Sequence, residues 1–241
     1  MKYQTNTILA SAILFGGASF FTHTVSAQQG WEGSASLEVQ NRYVAEGVSE
    51  DNDADGFFFG EIAFEKADFT LGAAYVQAIS GSIYNEVNLF AEYAFDLGEF
   101  VPFVGVQWNT FPSEDEPNEG EAFVGFDWEA WEDLLVYGEF FYEFYDVRGG
   151  FFTFGAEYEL AELVEGIVFT PYAELGVDYG FVSENRRLIE NNFQLGLVAS
   201  HELENGVELF ASFQHSFALN NLDREDEGDV TWGGVGVAFG F

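Results

Sequence analysis

From Ser34 onward, apolar and polar residues alternate along the chain in long runs that are broken by acidic, glycine-bearing or proline-bearing stretches. A period of two puts alternate side chains on opposite faces of an extended strand. Twelve such runs are legible: 34–48, 56–65, 69–79, one centred on Glu86 to Phe95, 100–111, 122–131, 134–145, 151–160, 167–181, 191–203, 206–217 and 229–241. The fourth shows the pattern most plainly, with Glu86, Asn88 and Glu92 alternating with Val87, Leu89, Ala91 and Tyr93. Runs of this length exceed the five or six residues usual for soluble strands and suit staves that cross a bilayer at a tilt, which need about 9–11 residues plus rims.

The connections carry a second pattern. Those after even-numbered runs are short and polar, whereas the longest, including the acidic 49–55, 112–121 and 218–228, follow odd-numbered ones. Short turns at one end and long loops at the other, with an even strand count, predict an all-β fold: a transmembrane antiparallel up-and-down β-barrel of about twelve strands. The last run ends on Phe241, and a terminal aromatic strand of this kind is similar to the closing strand of bacterial outer-membrane barrels, which the membrane's assembly machinery reads. Its apolar face carries Val235, Val237, Phe239 and Phe241, and its small face, Gly234, Gly236, Ala238 and Gly240, either faces something crowded or needs open space, with open space favoured. Trp31, Phe95, Phe100, Trp128, Trp131, Phe239 and Phe241 are expected to form one aromatic girdle, and Tyr43, Tyr75, Trp108, Phe144, Tyr179 and Phe217 the other.

At the amino terminus, Met1-Lys2 precedes an apolar run from about Ile8 to Phe21 and a small-residue site at Val25-Ser26-Ala27. That is the layout of a secretory signal peptide over residues 1–27, leaving residues 28–241 as the barrel, in the bacterial outer membrane with both termini periplasmic. The composition agrees: 29 Phe, 11 Tyr, 5 Trp and 27 Gly stand beside 4 Pro and no Cys, so there is neither a disulfide nor thiol chemistry. The formal charge of −35 excludes nucleic acid and anionic surfaces as partners. Lipid, the assembly machinery, and small solutes or cations are the expected partners, and acidity suited to a saline medium is the alternative reading of the surface loops.

Charge placement then gives the candidate site. Strand carboxylates keep inward parity: Glu38, Glu61, Glu86, Glu92, Asp127, Glu129, Glu139, Glu143, Glu157, Glu159, Glu174, Asp178 and Glu208 are expected to line the lumen, facing Arg42 as the one basic residue. A ring of carboxylates in a pore favours cations. Tyr137, Phe141, Tyr172 and Phe210 share that parity and narrow the space. Twelve strands enclose a lumen between the side-chain-filled eight and the water-filled sixteen. The function expected is therefore a porin-like barrel passing small hydrophilic solutes; the alternative is a plugged structural or adhesive barrel that presents acidic loops.

The stretch Tyr43-Val-Ala-Glu-Gly-Val-Ser49, with the Asp-rich loop, the Phe-rich strand and Tyr84-Asn-Glu-Val-Asn-Leu-Phe-Ala-Glu-Tyr93 that follow, resembles the TorF family of outer-membrane porins over residues 34–112. The resemblance implies a barrel that passes small solutes. That family shows an arginine where this chain has Glu46.

Two further chemistries are weighed. Asp51-x-Asp53-x-Asp55-Gly56 matches the first half of a calcium loop, but Ile62 stands where the closing bidentate glutamate belongs, which rules out an EF-hand and leaves a looser Ca²⁺ site at Asp51, Asp53 and Asp55. No other cofactor is expected. An outer-membrane hydrolase needs a base, and the chain offers His201 and His215 after the signal; neither shares a face with a serine, so no enzyme is expected.

Overall fold

The computed structural model describes residues 30–113, 117–225 and 227–241, with a short ribbon pairing Thr7–Leu9 with Thr22–Thr24. The cleavage site at Val25 to Ala27 lies outside the described residues.

Twelve antiparallel strands form one closed sheet. They are β1 Glu32–Gln40, β2 Phe57–Lys66, β3 Phe69–Ala78, β4 Asn85–Ala94, β5 Phe100–Thr110, β6 Glu119–Trp131 and β7 Leu134–Glu143. The ring continues through β8 Gly150–Tyr158, prolonged by Leu160–Val164, then β9 Ile167–Tyr179, β10 Ile189–Glu202, β11 Val207–Ala218 and β12 Val230–Gly240. Each strand pairs with its neighbours in sequence, and β12 pairs back onto β1 with Val235 opposite Val39 and Phe239 opposite Ala35. Among the described residues no helix is long and apolar enough to cross a membrane.

The outside of the ring is apolar. Leu37, Leu71, Leu89, Val106, Phe154, Leu195, Phe213 and Val235 are all more than two-fifths exposed. A contiguous belt of this kind suits hydrocarbon rather than water. The parity assignments place these residues outside, and the lumen receives the polar partners: Glu86, Asn88, Gln107, Asp127, Gln194 and Gln214 are buried. Trp31, Trp128, Trp131, Phe239 and Phe241 are exposed around the end that carries the termini, and Tyr75, Trp108, Phe144 and Phe217 around the other.

Several expected boundaries move. The first run ends at Gln40 rather than Val48, β6 begins at Glu119 inside what reads as a loop, and Leu160–Val164 pairs with β9 instead of turning. The long connections 41–56, 111–118, 180–188 and 219–229 all follow odd strands, while 67–68, 132–133 and 165–166 are tight turns at the terminus end. Asn41, off-pattern for a lipid face, continues the seam instead: its amide donates to the Gly233 carbonyl at 3.1 Å and its Oδ1 accepts from the Gly233 N–H at 2.9 Å.

The small face of β12 is crowded, contrary to expectation. A Cβ on Gly236 would sit 2.3 Å from the Phe210 ring and 2.6 Å from the Leu37 carbonyl, so glycine is there to accept an aromatic from β11. Trp232, on the same face, is 1% exposed.

Phe241 locks the seam beyond the end of β12. Its N–H and carbonyl both exchange 2.8 Å bonds with Gly33, and its ring lies over that glycine and edge-on to Phe64. Deleting Phe241 removes two backbone bonds, each contributing about 0.5–1.5 kcal/mol net. The folded fraction in detergent should fall, read as the heat-modifiable band on gels; an unchanged fraction would show that the seam closes without it.

Candidate functional site in the barrel lumen

The segment after β1 does not leave the barrel. Val44–Ala45 pairs with Val48–Ser49 in a small hairpin that turns at Glu46-Gly47, both with positive φ, 47° and 82°. Two successive left-handed residues make the type I′ turn that suits a two-residue hairpin. Gly47 is required by space as well, since a Cβ there would sit 2.7 Å from the Asn192 side chain. This hairpin is the stretch that carries the family resemblance, and it crosses the lumen.

Its anchors come from opposite walls. Tyr43 lies edge-on to Phe57, Phe59 and Tyr84 at 5.5–5.8 Å, burying its ring against β2 and the approach to β4. The phenol hydroxyls of Tyr43 and Tyr84 donate to Glu86 Oε2 at 3.0 and 2.8 Å. Val44 packs on Val230 and Trp232 of β12. At the tip, Asn191 Nδ2 of β10 donates to the Glu46 carbonyl at 2.5 Å. Tyr43 was expected in a lipid-facing girdle; it is 5% exposed and faces inward, because the chain has already left the sheet. Arg42, expected on the lumen wall, is exposed in the loop beyond β1.

Between the hairpin and the wall of β4–β7 lies a cavity of about 410 Å³. Glu46, Glu50 and Asp51 line it from the loop, and Glu86, Glu119, Glu121 and Glu139 from the strands, with no lysine, arginine or histidine among them. Glu119 and Glu121 escaped the sequence reading because they fall in a stretch that reads as acidic loop. At the terminus end, a cleft of about 30 Å³ sits among Glu65, Asp68, Glu92, Asp96 and Asp127.

The other lumen carboxylates divide by what they touch. Glu38 accepts from Ser212 at 3.3 Å, and Glu174 accepts from the Tyr137 hydroxyl at 3.1 Å. Glu61 keeps a buried Oε1 without a protein partner among the described residues. Glu157 and Glu208 are half-buried at lumen parity, while Glu129 and Glu159 are exposed near the terminus-end rim. Two of the set serve as loop caps. Glu143 accepts N–H bonds from Tyr145, Asp146, Arg148 and Gly120, and Asp178 accepts from Phe181, Val182, Ser183 and Asn221. Both are fully buried, so they fold the long-loop end rather than face a passing solute.

Across the lumen, neutral groups fill space. Tyr172 donates to Gln214 Oε1 at 2.6 Å and accepts from Gln194 Nε2 at 2.8 Å, a network no charge pattern could have revealed.

Asp51, Asp53 and Asp55 are placed separately. Asp51 Oδ1 accepts from the Asp53 N–H, Asp55 Oδ2 accepts from Ser80, and Asp53 is exposed. Among the described residues no three carboxylate or imidazole side chains gather at metal-ligating distance. His201 is bonded through Nδ1 to the Gly166 carbonyl, and His215 Nδ1 to Thr231 Oγ1 at 2.6 Å.

A closed ring of twelve strands has counterparts among solved structures. The fold is that of the KdgM and NanC porins. A KdgM porin matches with a TM-score of 0.57 at 14% identity, and a NanC porin with 0.54 at 10%. Each match covers 87% of this chain and 99% of the other. One KdgM structure is a complex with disordered oligogalacturonate. No protein-family model and no curated protein matches the sequence.

Glu46, in the hairpin and outside the strands, has its carboxyl held well above the usual range, first by burial and then by Glu50, Glu121, Glu119 and Glu86. The docked hairpin therefore keeps a proton that a free chain would release, so docking is favoured below Glu46's titration and weakens as pH rises through it. Amide exchange at Val44 to Ser49, corrected for intrinsic rates, should accelerate with rising pH, and Glu46→Gln should flatten that dependence. Protection that is independent of pH in the wild type would refute it.

Proposed function

We propose that the protein is a porin of the bacterial outer membrane that passes small hydrophilic solutes and prefers cations. The observation that carries the reading is the 410 Å³ cavity, walled by carboxylates from both hairpin and strands and without a basic side chain, inside a closed ring with an apolar exterior. Low-dielectric walls focus the field of such a cluster, raising cation occupancy and opposing anions. The likeness to TorF porins over residues 34–112 points the same way, as does the barrel shared with KdgM and NanC. Short turns at the terminus end then face the periplasm, and Phe241 serves assembly as well as the seam.

A second reading has its own observation. The hairpin spans the lumen from β2 to β10, and the Tyr172, Gln194 and Gln214 network fills much of the facing side. A barrel filled in this way is a structural or adhesive anchor presenting the acidic loops.

Reversal potentials in planar bilayers under a KCl gradient separate the two. The porin reading expects channels with a reversal potential on the potassium side. Selectivity should decline toward 1 M salt, where the Debye length falls to about 3 Å from about 10 Å at 0.1 M. It should decline also as pH falls through the titration of the lining carboxylates, which for Glu46 lies well above the usual carboxylate range. No channels would favour the anchor, and chloride preference would overturn the role given to the carboxylates.

A further inference from the structure

The cavity beneath the hairpin is rich in oxygen acceptors, and its amides donate to one another and to carboxylates along the wall. Gln107 Nε2 donates to Asn109 Oδ1 at 2.7 Å, and Asn109 Nδ2 donates onward to Glu121 Oε1 at 3.0 Å. Asn109 also donates to Glu119 Oε2 at 3.4 Å, so both of its N–H groups meet carboxylates, while Gln107 spends one of its two on Asn109. Gln107 Oε1 is left buried with no protein partner among the described residues, on a side chain that is 6% exposed and lines the cavity. An unpartnered buried carbonyl is costly, at about 1–3 kcal/mol, unless a donor reaches it. What fits this lining is a ligand rich in N–H donors and carrying positive charge.

Two more features narrow the chemistry. The carboxylates are dispersed around the cavity, and among the described residues no three gather closely enough to hold a metal ion. Charge on the ligand must therefore be spread over several ångströms. Between the carboxylates lie aromatic walls, Tyr84, Phe111, Phe123 and Phe141, which suit methylene groups and the π-faces that attract ammonium. Charge in separated packets, N–H donors at each, and apolar segments between them describe a linear polyamine.

We infer that the cavity between the inward hairpin and β4–β7 is a binding site for a linear organic polyamine, its ammonium groups meeting Glu121, Glu139 and Gln107 and its methylenes lying on the aromatic wall. Passage of that polyamine through the barrel rests on the porin reading; the site itself does not.

The test is calorimetric titration of spermidine into the detergent-solubilised full chain, with Mg²⁺ at the same concentrations as the comparison. The expected result is saturable one-to-one binding of spermidine and none of Mg²⁺. Glu121→Gln with Glu139→Gln, and separately Gln107→Leu, should each weaken binding by about tenfold or more, since one charge-assisted bond exceeds the 1.4 kcal/mol that a decade requires. Heat-modifiable migration confirms that each variant is folded, and the isosteric double variant carries the test should Gln107→Leu misfold. No saturable heat, equal binding of Mg²⁺, or variants that bind like the wild type would each overturn the site. Spermidine binding by a barrel that passes no current leaves the site standing and removes the porin reading; a conducting barrel without saturable binding does the reverse.

Discussion

A backbone that crosses hydrocarbon must satisfy every N–H and C=O within the protein, because no water is present to do so. A sheet meets that demand only by closing, and everything else in this chain follows from the seam where β12 meets β1. The seam runs from Asn41 and Gly233 at one end to Gly33 and Phe241 at the other, each terminal pair exchanging backbone or side-chain bonds beyond the regular ladder. The closed ring has no unpaired edge to offer to another chain.

Closure also fixes sidedness. Once the ring is shut, the period of two sends every second residue inward, and twelve strands enclose more space than a single layer of side chains fills. This chain uses that space unevenly. On the β9–β12 side it is occupied by tyrosine and amides bonded to one another, and large rings rest on glycines of the next strand, as Phe210 does on Gly236. Along β4–β7 acidic residues line the cavity, and the hairpin stands between the two. The hairpin is held by unlike means at each end, aromatic packing at Tyr43 and a single amide bond at Asn191.

The staves were legible because burial on one side and lipid on the other impose strict alternation, and the loop lengths fixed the order and the count. The hairpin was not. Tyr43 and Ala45 stay in phase with Leu37 and Val39, so periodicity alone extends β1 through residues that have left the sheet. The local clue was Glu46-Gly47 between Val44-Ala45 and Val48-Ser49, a weaker turn signal than Asn-Gly or Asp-Gly. Parity likewise identified inward carboxylates without separating caps from lining: Glu143 and Asp178 differ from Glu139 and Glu174 only in standing where a strand ends, one turn from backbone N–H groups that need an acceptor.

Likeness of fold sets the frame and leaves the cargo open. Barrels sharing 14% or less of their residues with this one have the same closed ring, so the ring is specified by alternation and turns that many sequences supply. What distinguishes such barrels then resides in the side chains that enter the lumen. In this chain Glu46 at the tip of the hairpin is one of them. A type I′ turn accepts glutamate or arginine at that place at equal backbone cost, since either would need positive φ. Replacing the glutamate, which keeps its proton in the docked hairpin, by arginine would place a positive charge across the lumen while leaving the hairpin's ladder and its Asn191 bond to a backbone carbonyl untouched. A turn whose geometry depends on the glycine after it, and whose electrostatics depend on the residue before, lets the charge presented in the lumen change without a change of fold.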